Sequence, residues 1–245
     1  MAKWQLCLSI VLVSAIPATL VAGLFQETFS TMPTGSCMPD GQAIGAWQSV
    51  YNGYGCNAFV TAGSNTMLLE QPKAATSPAE THASLVTGPV AAGDMTFEVS
   101  SATTRQLRTG SAPNPWEVAW VLWHYSDNVH FYYFVPKPNG WELGKADPAY
   151  PGAQRFLATG SSPSFPIGPW YRVRIAQTGA TIQVFVNGLL ITTFTDEEHP
   201  YVSGRVGLYS EDAEAYFDNV SVSAATLVAP APGKGHKGKK NTGRP

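Results

Sequence analysis

From residue 25 to residue 222 the chain is a succession of short runs in which apolar and polar residues alternate. Most of these runs are bracketed by Gly, Pro, Asn or Asp. Alternation with period two marks a strand that buries one face. It predicts strands over 25–29, 47–51, 58–61, 66–69, 83–87, 95–101, 117–125, 130–135, 141–145, 155–158, 171–177, 181–186, 189–194, 205–208 and 215–222. No segment of useful length carries the 3.6-residue repeat of a helix. Many short strands at close spacing predict an all-β protein, a sandwich or a barrel.

Two stretches sharpen this reading. Asn187-Gly188 stands between two β-rich runs, and both residues accept the positive φ of a tight type I′ hairpin. Tyr171, Val173 and Ile175 alternate with Arg172 and Arg174, so that strand has an apolar face and a basic one.

The two ends have a different character. Residues 1–23 read as a signal peptide: Lys3 gives a basic start, 6–13 an apolar run, and Val21-Ala22-Gly23 a small-residue cleavage site. The run is interrupted by Pro17 and is short for a membrane anchor. The chain is therefore expected to be secreted. Residues 230–245 hold Lys234, Lys237, Lys239, Lys240 and Arg244 among Gly and Pro, with no acid or aromatic. Such a segment buries too little to offset ordering and reads as a disordered basic tail. What remains, 24–229, suits one sizeable β domain.

Charge follows the same division. All 17 acidic residues but only nine of the 15 basic ones lie in 24–229, leaving that region near −8 and the tail near +5. An acidic central domain argues against a nucleic-acid partner there. The tail is either solvated or holds the protein on an anionic surface. With Cys7 in the signal peptide, Cys37 and Cys56 are left in an oxidising compartment, and a disulfide between them is the simplest reading.

The strings Trp170-Tyr-Arg-Val-Arg-Ile175, Ile182 through Asn187-Gly188, Gly204-Arg-Val-Gly-Leu-Tyr209 and Ala215-Tyr-Phe-Asp-Asn-Val-Ser-Val222 resemble the closing half of concanavalin A-like lectin/glucanase domains. They are also similar to laminin G-like modules and to the 3-keto-disaccharide hydrolase-like domains of secreted proteins. The resemblance implies a two-sheet antiparallel jelly-roll sandwich whose last strand pairs with its first. It further implies a possible structural calcium where those strands meet, with Glu27 and Asp218 as the matching acids; oxygen ligands suit calcium. Locally bonded turn acids are the alternative. The E-x-D-x-x-E strand of the glucanases and the Arg-x-Glu-x-Arg strand of the alginate lyases are both absent.

The densest candidate chemistry lies in 116–141, with Trp116, Trp120, Trp123, Tyr125, Phe131, Tyr132, Tyr133, Phe134 and Trp141. If Tyr125 pairs with His130 across a loop at 126–129, one face carries Glu117, Ala119, Val121, Trp123 and Tyr125 with His130, Tyr132 and Phe134. The other carries Val118, Trp120, Leu122 and His124 with Phe131, Tyr133 and Val135. The second set is more apolar and is expected to be core. The first, with aromatics beside Glu117 and His130, is expected to face a sugar: rings stack on C–H faces while polar groups fix hydroxyls. A plain aromatic core is the competing reading.

The expectation is thus a secreted monomer that binds a poly- or oligosaccharide through Trp123, Tyr125 and Tyr132, with Arg172 and Arg174 available for a uronate carboxylate. If the protein is an enzyme, a glycoside hydrolase or polysaccharide lyase, Glu117 with His130 or Glu142 are the candidate catalytic groups, and His124 and Lys145 could join an acid/base set. A structural or adhesive extracellular module is the third reading.

The tail is directly testable. Deleting 230–245 should leave the melting temperature nearly unchanged, because a disordered segment contributes no core burial. The same deletion should reduce retention on an anionic resin at low salt, where screening is weakest. A large fall in melting temperature would show a docked tail.

Overall fold

A computed structural model describes residues 25–225. The expected signal peptide and basic tail lie outside the described residues. The strands are β1 (Phe25–Glu27), β2 (Ala43–Ile44), β3 (Trp47–Tyr51), β4 (Cys56–Ala62), β5 (Asn65–Gln71), β6 (Ala83–Ala92), β7 (Met95–Gln106) and β8 (Ala119–Asp127). They continue with β9 (His130–Lys137), β10 (Gly140–Ala146), β11 (Gln154–Gly160), β12 (Tyr171–Thr178), β13 (Thr181–Val186), β14 (Leu189–Thr195), β15 (Ser203–Glu211) and β16 (Ala213–Ala224). All fifteen expected runs are strands. The addition is the two-residue β2, too short to show a period.

The strands form two antiparallel sheets. The first has the order β14-β13-β12-β7-β16-β5-β4, with β1 paired to β16. The second has the order β11-β10-β9-β8-β15-β6-β3-β2. The first strand meets the last as expected, with Phe25 opposite Val222. At the β13–β14 turn Asn187 (φ 52°) and Gly188 (φ 82°) both take the left-handed conformation a type I′ hairpin needs.

Alternation sets the core. Val173 and Ile175 of β12 lie opposite Val99 and Phe97 of β7 on one side and opposite Val186 and Val184 of β13 on the other, an apolar row across the first sheet. The second sheet returns Val86, Val121, Trp123, Tyr132, Phe134, Leu143, Val206 and Leu208 to the same core. Each such side chain, fully buried, contributes about 1.5–3 kcal/mol of transfer free energy. Cys37 and Cys56 form the expected disulfide and tie the segment before β2 to the start of β4.

One carboxyl sits inside the sandwich. Glu70 of β5 is completely buried, and its Oε1 accepts the Val86 amide of the facing sheet at 3.1 Å. Its Oε2 has no partner among the described residues. Burial pushes this carboxyl well above the ordinary carboxylate range. The folded state therefore holds a proton that the unfolded chain releases. The stability this brings is complete at low pH and is lost as pH rises through the ordinary carboxylate range toward the raised value, by at most about 1.4 kcal/mol per pH unit. Glu70→Gln should flatten that decline: urea midpoints of the wild type and variant should diverge between pH 5 and 8, with the variant relatively more stable at the higher pH. Parallel profiles would mean that Glu70 is ionised in the fold.

Candidate functional site

The β8–β9 hairpin decides where a site can lie. Its central register is the expected one, with Val121 opposite Phe134, Leu122 opposite Tyr133 and Trp123 opposite Tyr132. The tip differs. His124 adopts φ 49°, the ladder shifts, and Asp127 rather than Tyr125 faces His130. The irregularity turns Tyr125 to the opposite side of the sheet from Trp123, into a cluster with Leu122 and Tyr133.

The assignment of faces is reversed from the expectation. Trp123 and Tyr132 are fully buried between the sheets and stack at 5.4 Å. Their polar tips explain why. The Trp123 indole N–H donates to Gln177 Oε1 at 2.7 Å, and the Tyr132 hydroxyl donates to Asp196 Oδ2 at 2.6 Å. The Tyr201 amide donates to the Tyr132 hydroxyl at 3.1 Å. Asp196 also receives Lys145 Nζ at 3.0 Å and Arg155 at 3.3 Å. Burial alone would raise the Asp196 carboxyl, but the Tyr132 and Lys145 hydrogen bonds hold it below its ordinary range. Lys145, also fully buried, donates to the carbonyls of Glu198 and His199. It clamps the segment after β14 and has no access to solvent.

The remaining expected site residues are dispersed. Glu117 is fully buried; Arg108 Nε donates to it at 2.6 Å and Asn114 at 2.7 Å, while the same arginine holds Asp212 at 2.9 Å. It is a counterion in an end-of-sheet knot rather than a surface acid. His130 lies at the hairpin tip against Asp127, with its Nδ1 2.8 Å from Oδ1. His124 is buried and donates Nδ1–H to the Tyr201 carbonyl at 2.8 Å, and burial lowers its pKa. Arg172 and Arg174 lie on the outer face of the other sheet. Arg172 pairs with Glu98, and Arg174 covers the Phe185 ring at 3.7 Å. Glu27 accepts the Phe29 amide at 2.7 Å. Asp218 accepts Asn65 at 2.9 Å and the Asn219 amide at 2.7 Å. Among the described residues no group of three or more His, Cys, Asp or Glu is arranged to hold a metal ion.

What the hairpin turns outward is the other aromatic set. Trp120, Leu122, Tyr125, Tyr133 and Val135 form a second cluster on that side of the sheet with Leu85, Phe131 and Tyr209, and the first five are themselves largely buried. Trp120 lies between Tyr133 and Tyr209, 5.0 Å from each ring, and its N–H donates to the Trp116 carbonyl at 2.8 Å. Trp120 floors a cleft of about 290 Å³ lined also by Trp116, Glu142, Gln154, Phe156 and Glu211. Trp116 and Phe156 are 42% and 59% exposed, which leaves ring surface open to a ligand.

The polar groups of the cleft are fixed from below. The Tyr133 hydroxyl donates to Glu142 Oε1 at 3.1 Å and accepts Gln154 Nε2 at 2.8 Å, while Lys137 holds Glu142 Oε2 at 2.9 Å. The ring can lie there because residue 144 is glycine: a Cβ at Gly144 would collide with the Tyr133 phenol. Tyr209 donates to Glu211 Oε2 at 2.9 Å. Burial, followed by nearby acids, raises the Glu211 carboxyl above its ordinary range, against hydrogen bonds from Tyr209 and Trp116. The cleft thus combines exposed aromatic surface, an amide, a carboxylate neutralised by a lysine, and a second carboxyl with elevated proton affinity.

Residues 38–223 match the model of the 3-keto-alpha-glucoside-1,2-lyase-like domain family. The chain belongs to this family. The lyase-like domain takes in every cleft residue; β1 and Cys37 precede it. No curated protein matches the sequence. Among solved structures the domain is similar to carbohydrate binding module CBM66 from Bacillus subtilis, at 14% identity and TM-score 0.53, over 73% of this chain and 96% of that one. It is also similar to a Bacillus subtilis protein of unknown function with a galectin-like fold, at 11% identity and TM-score 0.53, over 80% and 99%. A third is the Crh5 transglycosylase in complex with NAG, at 9% identity and TM-score 0.51, over 84% and 86%. At such identities the likeness concerns the fold, and it confirms the two-sheet sandwich.

Of the cleft residues, sequence reasoning singled out Glu142 for chemistry and assigned Trp120 to the core. Trp116 lies in the turn before β8, so strand alternation does not place it beside Trp120; its carbonyl, bonded to the Trp120 indole, does. Glu142 stands between two inward residues, Trp141 and Leu143, which was a legible outward signal. Gln154, Phe156 and Glu211 carried no such mark.

The reversed faces predict reversed mutational costs. Trp123→Ala should lose about 3–5 kcal/mol in urea denaturation as a core truncation. Trp120→Ala, on the outer face, should cost measurably less. A larger loss at Trp120 would contradict this assignment of faces.

Proposed function

We propose that the protein is an exported saccharide-binding β-sandwich that holds a poly- or oligosaccharide on the outer face of its second sheet. The observation that carries this reading is the cleft at Trp120. Its exposed rings, Trp116 and Phe156, offer flat apolar surface for the C–H face of a sugar. Glu142, Gln154 and Glu211 stand beside them as fixed acceptors and donors for hydroxyls. Because hydrogen bonds hold these groups in place, little ordering cost remains for binding. The family's glucoside-directed description and the saccharide-related names of two fold neighbours support the reading. The Cys37–Cys56 disulfide supports export, since such bonds persist in oxidising compartments.

One observation favours an enzyme as a second reading. Glu142 and Glu211 line a single cleft, and their surroundings differ: a lysine neutralises the first, and burial raises the second. Acid/base cleavage of a glycosidic bond uses two carboxyl groups placed in differing surroundings.

A glycan array probed with the purified protein tests the proposal, followed by titration of any hit. Trp116→Ala and Phe156→Ala should each weaken binding by about 1–3 kcal/mol, the range for losing a packed aromatic contact, with the melting temperature nearly unchanged. Unaltered affinity in both variants, or no glycan bound at all, would end the proposal. Product analysis after incubation with the hit separates the two readings: turnover abolished by Glu142→Gln marks an enzyme, and affinity merely altered marks a binder.

A further inference from the structure

The outer face of the second sheet has a second opening, beyond the β8 irregularity. It has a volume of about 480 Å³ and is lined by Gln48, Thr87, Tyr125, Ser126, Ser203 and Arg205, with no acid among its lining residues. Arg205 lies directly across the ladder from Tyr125. The floor has an unanswered polar atom: Thr87 is fully buried, and its hydroxyl has no partner among the described residues.

Arg205 is distinguished by what it lacks. Nine Lys and Arg side chains fall within residues 25–225. Seven of them, Lys73, Arg105, Arg108, Lys137, Lys145, Arg155 and Arg172, have a carboxylate within 4.0 Å. Arg174 covers the Phe185 ring. Arg205 has neither. Its one hydrogen bond among the described residues is from Nη1 to the Gly88 carbonyl at 3.0 Å. A guanidinium presents five N–H donors in a planar fork, so one backbone contact steadies it and leaves donors for a further acceptor. That fork matches a carboxylate or a sulfate.

We propose that this opening is an anion-recognising subsite, in which Arg205 takes the acidic substituent of a saccharide, with Gln48, Ser126 and Ser203 beside it for hydroxyls. The inference rests on the saccharide-binding reading above and names the ligand class as an acidic oligosaccharide. Along β8, Tyr125 stands five positions beyond Trp120, roughly 16 Å at the rise of a strand. The two openings therefore suit one chain lying across the face, with its acidic unit at Arg205 and an uncharged unit in the carboxyl-lined cleft at Trp120.

The test compares matched probes: oligogalacturonate and the same oligosaccharide with its carboxyls reduced to alcohols. Titration of the full-length protein at 150 mM salt should give at least tenfold tighter binding to the acidic form. Arg205→Gln should remove that preference while changing affinity for the reduced form less than twofold. Arg205→Lys should keep part of the preference. All variants carry the same basic tail, so the difference between them reads Arg205 alone. Equal affinity for both probes, or an acidic preference that survives Arg205→Gln, overturns the subsite while leaving the saccharide-binding proposal standing if Phe156→Ala still weakens binding. Failure to bind either probe, together with a silent glycan array, overturns both.

Discussion

The stacked pair of Trp123 and Tyr132 governs the arrangement of the second sheet. Both rings carry polar tips, and inside a sandwich an unpartnered N–H or O–H costs about 1–3 kcal/mol. Gln177, Asp196 and the Tyr201 amide meet those tips from outside the hairpin. Once these bonds form, the side of the hairpin that faces inward is fixed. Strand alternation then forces Trp120 and Tyr133 outward with no further choice. The buried Lys145 belongs to the same arrangement. It neutralises Asp196, which anchors Tyr132, so the charge inside the sandwich is compensated where it is needed.

The make-up of the outward face is a consequence of that inner bonding. A sheet face carpeted with aromatic residues would be a liability if it were featureless. Here it is broken into two openings of different chemistry. One is lined by carboxyls and exposed rings, the other by hydroxyls, an amide and an arginine. The acids and bases elsewhere are committed to structure: Arg108 gathers Glu117 and Asp212 at one end, and Arg105 holds Glu214.

Much of the fold is legible in the sequence, because burial of one strand face imposes a period of two that turn residues punctuate. The hairpin at Asn187-Gly188 and the disulfide follow from such local signals, while the pairing of first and last strands is what the family resemblance implies. So does the register of Trp123 with Tyr132. The inward face of β8 was not legible. Both of its faces are apolar, so alternation marks two faces without ranking them. The deciding partners, Gln177 and Asp196, lie 54 and 64 residues away in the chain from Trp123 and Tyr132. The left-handed His124 carries only a weak sequence mark: histidine is enriched at positive φ among non-glycine residues, yet most histidines do not adopt it. The cleft fared similarly. Trp116, Trp120 and Glu142 stand in conspicuous segments, whereas Phe156 and Glu211 reach it only through the pairing of β11 with β10 and of β15 with β8. Arg172 and Arg174 share a face with each other, but it belongs to the other sheet.

Gly144 gives the cleft wall an unusual dependence on a missing atom. The Tyr133 ring occupies the space a side chain would fill, and from there it joins Glu142 to Gln154. Any larger residue at 144 would tip the phenol away, uncouple the acid from the amide and widen the gap between them, while the strand itself could persist. On the proposed saccharide-binding reading, position 144 is a point at which ligand preference can diverge, at the cost of displacing a buried ring. On that reading, homologous domains that differ there should share this sandwich and select different sugars.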